Sequence, residues 1–340
     1  MYELRDYQNR AVEKALNNFE KYANPFVLVL PTGSGKSLVI SDICHKLNEP
    51  VLILQPTKEI LAQNYEKLLS YGITDIGIYS ASFNSKEINK FTYATIGSIY
   101  KKPELFKHFK YVLIDECHLV NPKNLEGMYN KFFKAIDCKH ICGLTATPYR
   151  MIQKYYTNPD GELIYTAYIQ TINRIYPFFF KKFAHITTIQ ELLDQDCLCK
   201  YDYKFYNDFD VSEIKINTTG ADFDERSLEK FWSDSRLKIL ADIIAEVDKN
   251  CKHNLIFCSS IRQAQRCSEL LKEMGYNADY ITSEHGNKER DLLISKFRNG
   301  EIKHLAKDIV ITEMGEITNK PLFSFKLKNK NKIAQIIGNK

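Results

Sequence analysis

The sequence predicts an α/β protein built on parallel sheets, and three observations lead there. Short apolar runs alternate with helical stretches from the start of the chain to about Arg150, and again from Ser235. The runs are apolar throughout rather than on alternate residues, which is the pattern of strands covered on both faces. The first run leads into a glycine-rich turn that opens a helix, and a later run ends in the adjacent acids Asp115 and Glu116. Chemistry placed at the carboxyl ends of strands belongs to open parallel sheets flanked by helices.

Taken in order, a helix is expected from Asp6 to about Tyr22, then the run Phe26 to Leu30 and a helix through Lys46. Val51 to Leu54 is the next run, and Thr57 to Ser70 a helix. Runs follow at Ile76 to Tyr79, Phe91 to Ile96, Tyr111 to Ile114 and His140 to Leu144. Residues 151–234 change character. They are crowded with Tyr and Phe and broken by Asn158-Pro159-Asp160-Gly161, a turn signal, so they read as a hairpin-bearing connector that packs on one or both domains. From Ser235 the alternation resumes, with a helix to about Asn250, the run Asn254 to Cys258 and a helix from Ile261 to Met274. The run Ala278 to Ile281 and a helix from Lys288 to Phe297 follow. The expected domains are therefore residues 1–150, a connector over 151–234, and a second, partial α/β domain over 235–340.

Composition bounds the function. The chain has 340 residues, 44% hydrophobic and 26% charged, too apolar for a disordered chain and long enough for two domains. No apolar run approaches the roughly 18 residues of a membrane span. The first residues, Met-Tyr-Glu-Leu-Arg-Asp, lack the apolar core of a secretory signal, so a cytoplasmic location is expected. Nine scattered cysteines, an odd count, fit reduced core thiols better than a disulfide framework. The net charge of +5 is uneven: after Glu316 come six lysines and no acid. Such a tail suits a polyanionic partner, or is simply a solvated basic segment.

The strongest chemical signal is Pro31-Thr32-Gly33-Ser34-Gly35-Lys36-Ser37. Glycines between a strand and a helix let backbone N–H groups wrap a phosphate chain, Lys36 can reach the β- and γ-phosphates, and the Ser37 hydroxyl can ligate Mg²⁺. Leu30 stands where the general pattern has its first glycine, so the loop matches only the variant that begins Pro-Thr-Gly. The second signal is Asp115-Glu116-Cys117-His118: Asp115 can hold the metal and Glu116 can polarise an attacking water.

With Thr145-Ala146-Thr147-Pro148, these strings resemble the superfamily 2 helicases, and more narrowly the DEAD/DEAH-like members akin to type III restriction subunits. The resemblance runs in order over roughly residues 2 to 304. It implies P-loop NTPase architecture, with two RecA-like domains, the second incomplete, ATP and Mg²⁺ as cofactors, and nucleic acid, DNA rather than RNA, as partner. It implies catalytic roles for Lys36, Asp115 and Glu116, adenine contacts from Arg5 and Gln8, and coupling of hydrolysis to domain movement through His118, Thr145 and Thr147. Pro56 and Thr57, Gly97 and Ser98, Ser259 and Ser260, and Thr282 match its nucleic-acid motifs. Hydroxyl and glycine residues after strand ends suit phosphates without base readout, although Thr and Ser there also cap helices.

Family members of this type continue with a Gln-x-x-Gly-Arg-x-x-Arg helix whose arginines reach the γ-phosphate. Here Gln335-Ile336-Ile337-Gly338-Asn339 puts asparagine at the first of them, and no arginine follows Arg298. Three expectations fit: an interrupted helicase, a second domain completed by another polypeptide, or a member retained for binding. An arginine finger is worth about 10³ to 10⁵ in turnover, so ATP binding and hydrolysis are separate expectations.

Overall fold

A computed structural model of the chain describes residues 3–157, 159, 161, 163–199, 213–215, 224–247 and 252–308. The segment that would carry the trans-acting arginines, with its asparagine at 339, lies outside them. Two compact units are present: residues 1–152 with 169–197, and the described residues of 153–168 and 198–340.

The first unit is an eight-stranded sheet. In chain order its strands are β1 (Phe26–Val29), β2 (Val51–Gln55), β3 (Ile76–Ser80), β4 (Ser85–Lys86), β5 (Phe91–Thr95), β6 (Tyr111–Ile114) and β7 (His140–Thr145). After a two-stranded sheet of β8 (Tyr149–Thr157) and β9 (Leu163–Thr171), β10 (Lys182–Ile186) returns to the first sheet. The spatial order is β10-β1-β7-β6-β2-β5-β3-β4, parallel throughout except for the short edge pair β3 and β4.

Alternate residues of the strands feed two apolar layers. Phe26, Leu28, Val51, Ile53, Tyr111 and Leu113 pack with helices α1 (Asp6–Lys21), α2 (Lys36–Leu47) and α3 (Lys58–Ser70). Val27, Val29, Leu52, Leu54, Val112 and Ile114 face the other way, against α4 (Ile96–Ile99) and α5 (Met128–Ile136). Because both faces are buried, the strands carry no polar alternation, which is why they were legible as apolar runs. The aromatic-rich segment contributes to the second layer: Ile172, Ile175 and Phe180 lie within it, and β10 pairs in parallel with β1.

Gly143 of β7 shows how tightly that layer supports the acidic motif. A Cβ there would lie 2.6 Å from Cys117 Sγ and 2.9 Å from Phe180 Cε1. Gly143→Ala is expected to destabilise the fold by about 1 to 3 kcal/mol through overpacking, read as a lower urea midpoint with an unchanged slope.

The second unit contains helix α7 (Glu225–Phe231), after the one-turn α6 (Ile189–Asp194) of the first unit, then α8 (Asp234–Val247). There follow β11 (Asn254–Cys258), α9 (Ile261–Glu273), β12 (Ala278–Ile281), α10 (Asn287–Asn299) and β13 (His304–Asp308). Its three strands are parallel in the order β11-β13-β12. Leu240, Ile244, Ala264 and Leu271 cover one face, and Phe297 packs with Ile281 and Leu305 on the other. Among the described residues no helix is long and apolar enough to cross a membrane.

Candidate functional site

Five loops meet the C-terminal edge of the first sheet, and they carry the phosphate-loop, acidic, threonine and first-unit nucleic-acid motifs; Arg5 and Gln8 lie at the start of α1, and Ser259, Ser260 and Thr282 in the second unit. The loop after β1 carries Thr32, Gly33, Ser34 and Gly35 into α2, which starts at Lys36. Gly33 and Gly35 have φ of +78° and +76°, left-handed values that glycine adopts freely. No side chain caps α2 at Gly35, so the first N–H groups of this helix face outward with the positive end of its dipole, a site made for anions.

α1 holds the loop in shape. The Tyr7 hydroxyl and Gln8 Nε2 both donate to the Ser34 carbonyl, at 2.9 and 2.8 Å, while Gln8 Oε1 accepts from the Arg5 backbone N–H at 2.9 Å. Gln8 is therefore buried and spends its amide on the loop and on its own helix start, whereas Arg5 is exposed. Tyr7 is fully buried and was not singled out from the sequence, since a tyrosine on the apolar face of a helix reads as core. Tyr7→Phe removes one hydrogen bond worth about 1 kcal/mol. It is expected to raise the dissociation constant for ATP several-fold by calorimetry; an unchanged constant would show that the loop keeps its shape without the tether.

Asp115 and Glu116 follow β6 and point to different duties. Asp115 is 3% exposed; its Oδ1 accepts from the Glu116 N–H at 3.0 Å and its Oδ2 from Asn64 Nδ2 of α3 at 3.3 Å. Burial pushes its carboxyl up to about 6, with the charge of Glu116 adding to the rise against the pull of Lys36 and the two hydrogen bonds. Glu116 sits in the left-handed region at φ +47°, a conformation that costs a non-glycine residue about 1 to 2 kcal/mol. Such strain at a strand end turns the side chain into the site.

Glu116 is the hub. Its Oε1 lies 3.3 Å from Lys36 Nζ, and its Oε2 lies 3.2 Å from His118 Nδ1 and accepts from Thr145 Oγ1 at 3.3 Å. His118 Nδ1 is also 2.9 Å from Thr145 Oγ1 and 3.0 Å from Thr147 Oγ1, and its carbonyl accepts from Arg150 Nη1 at 2.6 Å. Burial opposes the Glu116 charge, but the His118 hydrogen bond and the Lys36 and His118 charges outweigh it and hold the carboxyl down at about 2. The structure thus joins Lys36, Glu116, His118, Thr145 and Thr147 in one network. It adds Asn64 and Arg150 as supports that the sequence did not disclose.

The nucleic-acid motifs are placed as follows. Pro56 and Thr57 follow β2, and Gly97 and Ser98 follow the adjacent β5, where Gln55 pairs with Thr95. Thr57 caps α3 by accepting from the Ile60 N–H, and Ser98 Oγ accepts from the Ala81 N–H at 3.0 Å. Gly97 is exposed, and a Cβ there would meet nothing within 4 Å. In the second unit Ser259 and Ser260 follow β11: the Ser259 hydroxyl donates to Gln263 Oε1 at 2.6 Å and Ser260 caps α9. Thr282 is buried, with its hydroxyl 3.1 Å from His285 Nδ1.

No group of three or more His, Cys, Asp or Glu side chains that could hold a metal occurs among the described residues. What is present, one buried carboxylate and the Ser37 hydroxyl, fits Mg²⁺, which takes one or two protein oxygens and completes its shell with phosphates and water.

Comparison with known proteins agrees in order along the chain. Residues 1–150 match the family described as type III restriction enzyme, res subunit, and residues 235–315 match the helicase conserved C-terminal domain. The chain belongs to the superfamily 2 helicases, in their type III restriction-like group. Helicase relatives include IRC3 of Saccharomyces cerevisiae, named as an ATP-dependent helicase, 23% identical over 98% of this chain and 49% of that protein. The DNA 3'-5' translocase XPB2 of Sulfurisphaera tokodaii is 27% identical over 92% of this chain and 72% of its own length. A 51.5 kDa protein of a Lactococcus phage is 24% identical over 83% of this chain and 54% of that one. The chain spans about half the length of the phage and yeast proteins. Among solved helicase-fold structures, the type ISP restriction-modification enzyme LlaBIII bound to DNA superposes with a TM-score of 0.65, at 16% identity over 95% of this chain and 26% of that one.

Proposed function

We propose that this chain is the motor part of an ATP-dependent translocase acting on DNA, with the hydrolysis site on the first unit. The observation that carries the reading is the Glu116 hub, which ties the lysine of the phosphate loop to the threonines after β7 in one hydrogen-bonded set. The loop amides from Gly33 to Ser37 cradle the phosphates of ATP, and Lys36 exchanges Glu116 for them. Glu116, freed on that side, orients the attacking water. Ser37 and Asp115 would hold Mg²⁺, which would supply neutralisation of phosphate charge. His118 and Thr145 sense the change at Glu116 because they share its Oε2, and Thr147 follows through its contacts with both. Arg5 and Gln8 flank the adenine, with Gln8 coupling that end to the loop through Ser34.

DNA contacts come from Pro56, Thr57, Gly97 and Ser98 on the first unit, and from Ser259, Ser260 and Thr282 on the second. The Thr57 and Ser260 hydroxyls are spent on helix caps, and the Ser259 and Thr282 N–H groups donate to Gln263 Oε1 and His285 Nδ1; the phosphates therefore meet the remaining backbone N–H groups of these loops, and binding is largely independent of sequence. The DNA reading draws on the relative named as a DNA translocase, which matches 92% of this chain.

The test is ATP turnover by the full chain alone and with single-stranded DNA, duplex DNA or RNA, with Glu116→Gln as background. DNA-stimulated turnover well above that background is expected. Nucleotide binding without stimulation by any of the three would leave an ATP-dependent nucleic-acid-binding protein and overturn the motor reading.

A further inference from the structure

Lysines gather at the N-terminal edge of the first sheet. β10, β1, β7 and β6 are neighbours and parallel, so all four begin at the end opposite the phosphate loop and the acidic motif. The segments that lead into them, residues 20–25, 107–110, 137–139 and 176–182, carry Lys21, Lys107, Lys110, Lys139, Lys181 and Lys182 against only Glu20 and Asp137. The described lysine ion pairs involve Lys36, Lys46, Lys131 and Lys272, none of these six.

Two features set this edge apart from an ordinary solvated surface. Tyr111 pairs with His140 across β6 and β7, so Lys110 and Lys139, each one residue earlier, are cross-strand neighbours, and Cys138 Sγ reaches the Lys110 carbonyl at 3.4 Å. Like charges in that relation destabilise a sheet, and here no carboxylate bridges them. Aromatic rings also accompany the ammonium groups. Lys182 Nζ stands 3.7 Å from the Tyr22 ring centroid, Lys110 Nζ 5.2 Å from Tyr111 and Lys181 Nζ 6.0 Å from Phe178. Tyr22, Tyr176 and Phe178 are 49%, 74% and 49% exposed.

We infer that this N-terminal edge of the sheet is a second nucleic-acid contact surface, which grips phosphodiester backbone through its lysines and stacks bases on its exposed rings. The distance from β10 to β6 is three strand spacings, about 14 Å, or about four phosphates of one strand at an axial rise of about 3.4 Å. An acidic peptide would satisfy the charges but leave the rings idle, whereas unpaired bases occupy both. The inference rests on the nucleic-acid partner of the proposed function and is independent of ATP turnover.

The test uses the full chain carrying Lys110→Gln, Lys139→Gln and Lys182→Gln together, changes that remove the charges and keep most of each side-chain stem. Binding of fluorescein-labelled oligothymidylate is followed by anisotropy without ATP over a salt series. Removing three phosphate contacts at about 0.7 each should reduce the slope of log K against log salt by about 2, with at least a tenfold loss of affinity at low salt. Thermal stability should stay level or rise, because the Lys110–Lys139 repulsion is gone.

A wild-type slope in the triple variant overturns the inference, including the case in which that variant instead loses polyglutamate binding, which would assign the edge to an acidic protein. Lack of DNA-stimulated turnover combined with a reduced slope overturns the motor function and leaves this surface standing. A parent chain with no salt-dependent binding overturns both.

Discussion

Glu116→Gln is expected to lower ATP turnover by about 10² to 10⁴-fold, the range in which a positioned acid-base group contributes, while ATP binding is kept or strengthened. The charge is what the substitution removes. Glutamine retains the length and an acceptor for Thr145 Oγ1, which lies 3.3 Å from Glu116 Oε2. It releases Lys36, held at 3.3 Å by the carboxylate, so the lysine is freer to meet phosphate. With its carboxyl held at about 2 by His118 and Lys36 against the opposing effect of burial, Glu116 is ionised throughout the working range. No limb of the pH–rate profile between about pH 5 and 8 should belong to it in the free protein. So acidic a carboxylate is a weak base, and its potency must grow once Lys36 turns to the phosphates and burial is less opposed. Phosphate release and binding of a fluorescent ATP analogue, measured on the same preparation, check both halves. A variant with more than a tenth of the parent turnover would remove Glu116 from the hydrolytic step.

The parts of this site that were legible in the sequence are those made by neighbours in the chain. The glycines of the phosphate loop, the Asp115-Glu116 pair and the Thr145-Ala146-Thr147 string each follow a strand whose two faces are buried, so strand and motif could be read together. Supports formed across the fold were not legible. Tyr7 reaches Ser34 over 27 positions, Arg150 reaches His118 over 32 and Asn64 reaches Asp115 over 51, and nothing local marks a partner at such a distance. Strands behaved alike. β10, Lys-Phe-Ala-His-Ile, is a half-buried edge strand with a charged start, and it joins β1 from 156 positions away, as the pairing of Phe26 with Lys182 fixes. β13, His-Leu-Ala-Lys-Asp, is the central strand of the second sheet, yet its buried His304 and Lys307 interrupt the apolar run that announces the others.

Asp115→Asn is expected to abolish Mg²⁺-dependent turnover and, in the nucleotide-free protein, to make the fold more stable at neutral pH. The second effect follows from the carboxyl's rise from 3.8 to about 6, caused first by burial and then by the neighbouring Glu116 charge. A carboxyl whose folded value is raised favours the folded state fully below about pH 4, where it is protonated folded and unfolded alike, and that advantage is lost as pH rises through about 6. At about 1.4 kcal/mol for each pH unit between the two values, the loss is about 3 kcal/mol. The asparagine cannot ionise and keeps the acceptor for the Glu116 N–H, while the Asn64 amide can reverse to present its oxygen. Urea midpoints of parent and variant should therefore differ most above pH 7 and converge near pH 4. Mg²⁺ with a non-hydrolysable ATP analogue should narrow the gap at neutral pH by stabilising the parent more than the variant, since the parent's charge then has its cation. A variant less stable than the parent at pH 8 would mean that Asp115 is held by its hydrogen bonds rather than poised for a metal.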